Sequence, residues 1–160
     1  MSLLANLIQP ANMLCKDAAK SRKRVLQSVA ETMADADVSA DDLFDGLMGR
    51  ERLGSTGLGE GVAIPHCRTN CQQMQVAMVT LTEPIDYEAI DGEPVDILFV
   101  LVVPTQETQA HLDALAELSA VFADADNRAR LRQCRQADNL AETMRELLHS
   151  TTPPQQRHQA

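Results

Sequence analysis

The chain has 160 residues, 44% of them apolar, and a net charge of −9 from 14 basic and 23 acidic side chains. This is the length of one ordinary domain, with enough apolar content to build a core without disulfide or metal staples. The acidic balance excludes a nucleic-acid binder, whose affinity rests on Lys and Arg neutralising phosphates; no apolar run approaches the ~20 residues of a membrane span.

In chain order, the N-terminus lacks a basic region followed by an apolar stretch and a cleavage site, which predicts no export. The first helix is predicted from about Ser21 to Ala36, where Leu26, Val29, Ala30 and Met33 recur at one-face spacing. Ser39-Ala40-Asp41-Asp42 is an N-cap signature for a second helix that carries Leu43, Leu47 and Met48 and ends near Leu53-Gly54. Val62 to Ile64 and Val76 to Leu81 are short strand candidates, the second closed by a turn at Glu83-Pro84. The run from Val95 to Val103 is nearly continuous, apolar and β-branched, and predicts a central strand buried on both faces and closed by Pro104.

Three further helices are predicted, from about Gln106 to Ala123, Asp126 to Cys134 and Asp138 to Leu148. Thr151 to Ala160 is polar and contains proline, the composition of a disordered tail, so the folded domain is predicted over residues 1–150. Strands alternating with helices make an α/β layered domain. The four cysteines (Cys15, Cys67, Cys71, Cys134) follow no secreted-scaffold pattern, which fits a reducing cytoplasm.

The chemistry concentrates in residues 50–68. Gly54, Gly57, Gly59 and Gly61 fall close together, followed by Val62-Ala63-Ile64, then Pro65 and His66, with Arg50, Arg52 and Arg68 around them. From Thr69 to Asn127 there is no Lys or Arg, so these arginines form a positive island on an acidic chain. A neutral imidazole beside glycine-rich backbone N–H groups and a guanidinium fork is suited to accepting a phosphoryl group. Arg50 is the candidate bidentate clamp, whereas Arg52 and Arg68 read equally well as solvated surface residues. By periodicity His111 lies on the apolar face of the helix after the central strand, where a core histidine is the plainer reading. His66-Cys67 with Cys71 does not match a common zinc spacing and lacks a fourth ligand, so neither metal nor cofactor is called for. Cys67 beside Arg68 is a candidate redox-sensitive thiol. His149 and His158 receive no role.

These residues resemble the phosphorylation-site segment of the enzyme IIA proteins of the bacterial phosphotransferase system, in the fructose/mannitol class and its nitrogen-regulatory branch. The resemblance is carried by Arg50-Glu51, Gly54-Ser55-Thr56-Gly57, Gly61-Val62-Ala63-Ile64-Pro65-His66, the stretch from Pro84 to Asp96, and His111, and it covers roughly residues 3 to 148. The family usually has glycine after the site histidine, where this chain has Cys67. The resemblance implies a mixed β-sheet with helices on both faces. It implies His66 as phosphoryl acceptor through Nε2, His111 beside it as phosphoryl stabiliser, Arg50 as phosphate clamp, and Ser55, Thr56 and Gly57 as a phosphate-binding loop. It further implies a cytoplasmic phosphocarrier that is charged by an HPr-like protein. Such a carrier regulates nitrogen- and potassium-related protein targets, and the charge and the lack of an apolar span predict no nucleic acid and no membrane insertion. Two other readings stay open: a sugar-specific enzyme IIA passing phosphate to a IIB domain, and a non-catalytic module that binds an anion at the loop.

Overall fold

A computed structural model describes residues 2–151; most of the tail expected at 151–160 lies outside them. Its elements are α1 (Leu3–Leu7), a 3-10 turn (Pro10–Asn12), β1 (Met13–Asp17), α2 (Arg22–Met33), α3 (Ala40–Arg52), β2 (Gly57–Gly59), β3 (Val62–Ala63), β4 (His66–Thr69), β5 (Gln75–Ile85), β6 (Val95–Pro104), α4 (Gln109–Phe122), α5 (Ala125–Gln133) and α6 (Ala137–Ser150). Helices α2, α3 and α5 begin where short polar side chains take up orphan N–H groups. Ser21 accepts from Arg24 N, Ser39 from Asp42 N, and Asp124 from Asp126 N and Asn127 N. Asp41 and Asp42 in the first turn of α3, and Arg50 and Arg52 in its last, complement the helix dipole.

The sheet runs β1-β5-β6-β3-β2, with β4 also pairing β6. It is mixed: β5 is antiparallel to β6, whereas β3 and β4 run parallel to it. The central strand is β6, as its composition predicts. Ile97, Phe99, Leu101 and Val103 join one core cluster, with α1, α4, α5 and α6. Leu98, Val100 and Val102 join the other, with α2 and α3. Each aliphatic side chain fully buried this way contributes about 1.5–3 kcal/mol. The result is a three-layer α/β domain with helices on both faces of a mixed sheet.

One expectation needs correction. The strand predicted over Val76 to Leu81 does not stop at Glu83-Pro84; β5 runs on to Ile85. The register with β6 breaks between Thr80 and Ile85, so Pro84 sits where no ladder N–H is required. β4, which the sequence does not predict, opens at His66. Proline has no N–H for the ladder, and the chain leaves β6 after Ala63, passes Ile64 and Pro65, and rejoins it at His66, opposite Leu101.

Candidate functional site

His66 is aligned with Leu101, whose side chain belongs to the core cluster of α4, and it meets His111 of α4 there. The two rings are edge to face with centroids 5.3 Å apart. His66 Nδ1 lies 2.8 Å from the carbonyl oxygen of Ile64. A carbonyl only accepts, so Nδ1 carries the proton and Nε2 keeps its lone pair. The break at Pro65 leaves Ile64 outside either strand, and so supplies this acceptor. Burial holds the His66 pKa below its ordinary value. The Ile64 bond and Glu51 act the other way, and Arg50 and Arg68 reinforce the depression. His66 is therefore a neutral imidazole at neutral pH with its Nε2 lone pair available, the form needed for attack on phosphorus.

His111 is buried, 9% exposed. Its Nε2 is one of two buried side-chain polar atoms without a hydrogen-bond partner among the described residues. Burial lowers its pKa first, then the charges of His66 and Arg68. An orphaned buried nitrogen costs about 1–3 kcal/mol, a cost that a polar group placed between the two rings would relieve. Arg68 completes this side of the site: its guanidinium reaches His111 and three backbone carbonyls ahead of α4. From the sequence Arg68 reads equally well as a solvated surface residue, because nothing local reveals contacts across 36 to 43 positions.

Arg50 lies in the last turn of α3, and its Nη1 donates to Gly54 O at 2.8 Å. Its charge is felt by His66. The expected phosphate-binding loop stands differently. Thr56 N and Thr56 Oγ1 both donate to Glu51, at 3.0 and 2.5 Å, Gly57 N donates to Ser55 Oγ at 3.1 Å, and Ser55 Oγ donates to Tyr87 O at 3.0 Å. These four donors are already engaged inside the protein. A methyl group at Gly57 would lie 2.7 Å from Ala89 Cβ, so glycine here answers a close approach of chains.

The partner of that loop is a cluster the sequence did not reveal. Glu51 is buried and also accepts from Tyr87 Oη at 3.0 Å. Arg22 lies 4.0 Å from Glu51 and over the Tyr87 ring at 5.5 Å. Burial, then Glu51, pushes the Tyr87 pKa up, so the phenol stays a donor. Glu51 neighbours Arg50, so pinning it fixes the end of α3 that carries the guanidinium.

Cys67 faces the other way from His66, into the α2/α3 core, and is not a reactive thiol. Burial, then Cys71, pushes its pKa up to about 12, against the redox expectation. A side chain is tolerated at this position because its φ is not positive and α3 presents Gly46 to it; a methyl there would lie 3.2 Å from Cys67 Sγ. No group of three or more His, Cys, Asp or Glu among the described residues is arranged for a metal. No described helix is long and apolar enough to cross a membrane.

The family model described as "Phosphoenolpyruvate-dependent sugar phosphotransferase system, EIIA 2" matches residues 6–147. The nitrogen regulatory protein of Pseudomonas aeruginosa is 42% identical over 143 residues, 88% of this chain and 93% of that one. The crystal structure of nitrogen regulatory protein IIA-Ntr from Neisseria meningitidis superimposes with a TM-score of 0.85 at 34% identity, covering 92% of this chain and 99% of that one. Enzyme IIA mannitol of Escherichia coli, solved in complex with phosphorylated IIB mannitol, shares the fold with a TM-score of 0.72 at 18% identity, covering 89% and 96%.

Proposed function

The chain belongs to the EIIA type 2 family of the phosphotransferase system, in its nitrogen-regulatory branch, and on that premise we propose that it is a cytoplasmic phosphocarrier charged on His66 by an HPr-like protein. The observation that carries the reading is the His66 ring, held neutral with Nδ1–H on the Ile64 carbonyl and Nε2 free. In the transfer, the Nε2 lone pair attacks the phosphorus of a phosphohistidine on the donor. The donor's N–P bond breaks, its electron pair returns to the donor ring, and a new N–P bond forms on His66. The His66 ring takes on positive charge as it attacks, and the Ile64 carbonyl stabilises it through Nδ1–H. Such a transfer needs positioning and charge stabilisation more than covalent help.

Arg50 would turn from Gly54 O to clamp the phosphoryl oxygens. His111 would stabilise the same group. Leu53 and Leu112, 85% and 60% exposed beside Gly54 and His111, are apolar contacts for the donor protein. The charged and uncharged forms would then differ in affinity for regulatory protein targets in nitrogen and potassium physiology, of which the relatives' name, nitrogen regulatory protein, points to the first.

The test is to incubate the protein with phosphoenolpyruvate, enzyme I and an HPr-like carrier of the nitrogen branch, and to map acid-labile phosphate. Label on His66 supports the reading. No label with nitrogen- or sugar-branch donors would leave an anion-binding module, and rapid onward transfer to a IIB domain would favour the sugar-specific role.

A further inference from the structure

Arg68 grips His111 in a way that dictates where its proton sits. Arg68 Nη2 lies 3.3 Å from His111 Nδ1, while Nη1 donates to Pro104 O and Thr105 O at 3.3 Å each and to Glu107 O. A guanidinium has donors and no acceptor. The contact therefore requires a lone pair on His111 Nδ1. The one proton of the neutral ring is then on Nε2, the buried atom that has no partner. His66 is the reverse, with its proton on Nδ1 and its lone pair on Nε2. Two imidazoles 5.3 Å apart thus carry opposite tautomers, one a nucleophile and the other a hydrogen-bond donor.

We propose that Arg68 is a positioning residue that locks His111 as the Nε2–H tautomer, so that His111 donates a hydrogen bond to the phosphoryl group on His66. The inference rests on the phosphocarrier reading for the identity of that acceptor. In the other tautomer His111 would present a lone pair to anionic oxygens and repel them. The tautomer of a histidine is set by what its other nitrogen bonds, and here that partner is itself fixed. The carbonyls of Pro104, Thr105 and Glu107 anchor one arm of the fork between the end of β6 and the start of α4. The guanidinium also disfavours protonation of His111, which keeps Nδ1 open as an acceptor. The grip needs a fork with two separate arms, so lysine would reproduce it only in part.

The experiment is ¹⁵N NMR of both histidine rings in the full, unphosphorylated chain, in the wild type, Arg68→Met and Arg68→Lys, with transfer rates from an HPr-like donor measured in parallel. In the wild type we expect His111 to show a pyridine-type Nδ1 and pyrrole-type Nε2, and His66 the opposite. Arg68→Met should give His111 a mixed tautomer and slow phosphorylation of His66 about tenfold, the equivalent of roughly one hydrogen bond. Arg68→Lys should recover part of both. A pyrrole-type Nδ1 on wild-type His111 would overturn the assignment. So would an unchanged tautomer and rate in a folded Arg68→Met. The wild-type spectrum decides the tautomer even if a variant fails to fold. It also needs no donor, so failure of His66 to accept phosphate would refute the carrier reading separately from the tautomer.

Discussion

The buried carboxyl group of Glu51 and the buried imidazole of His111 face the same energetic demand and meet it differently. On the α2/α3 side of the sheet, Glu51 takes hydrogen bonds from Thr56 N, Thr56 Oγ1 and Tyr87 Oη, with Arg22 nearby. On the α4 side, His111 Nε2 has no partner, and His66 Nε2 beside it keeps a free lone pair. A saturated polar cluster rigidifies what it touches. An unsaturated one stores a cost that a ligand can relieve. On the proposed function the difference separates frame from site: Thr56, Gly57 N and the Ser55 hydroxyl are engaged in the frame, while the sparsely bonded histidine pair is left for the phosphoryl group.

The sharpest way to break this contrast is His66→Ala, which should abolish acid-labile labelling while shifting stability by no more than about 1 kcal/mol, because the side chain is only half-buried. A labelled His66→Ala protein would remove the site from the α4 side. Glu51→Ala should do the opposite. It leaves Tyr87 Oη and Thr56 N buried without their acceptor and should cost about 3 kcal/mol in chemical denaturation, yet still accept phosphate at low temperature. Loss of labelling in a folded Glu51→Ala would make Glu51 part of the chemistry. His111→Ala should leave His66 as the single modified residue and slow its labelling about a hundredfold, as removal of one preorganised donor does. Labelling transferred to His111 in the His66 variant would reverse the two roles.

Much of this contrast was not visible in the chain. Helices α2 to α6 were legible in the sequence and α1 was not, and β6 declares itself through its unbroken apolar run. β1, β2 and β4 do not: Gly57–Gly59 and His66–Thr69 have little strand propensity of their own and are strands because β3 and β6 offer them edges. At the site, His66 and Arg50 were legible because local composition marks them. His111 was placed on the right face but looked like a core residue, since only tertiary contact shows that it meets His66. Arg68 and Tyr87 were missed as partners for the same reason: their contacts join residues 31 to 43 positions apart.

The mildest test is acidity, which reads the histidine pair directly. Burial lowers the pKa of both His66 and His111 below the unfolded value of about 6.5. Between the folded and unfolded values the unfolded chain binds more protons, so stability rises with pH across that window. The full contribution is present above about pH 6.5 and is lost as pH falls from there through the folded values. The exposed carboxyls of Asp35, Glu83 and Asp91, lowered by their hydrogen bonds, lose their contribution only at more acid pH, below the ordinary carboxylate value of about 4. Glu117, raised mainly by burial, opposes the trend. The readout is therefore the difference in Tm between wild type and His66→Ala/His111→Ala across the histidine window. It should narrow as the pH falls. A double-histidine variant with the same acid slope as wild type would mean that the buried rings are not the neutral pair on which the transfer chemistry depends.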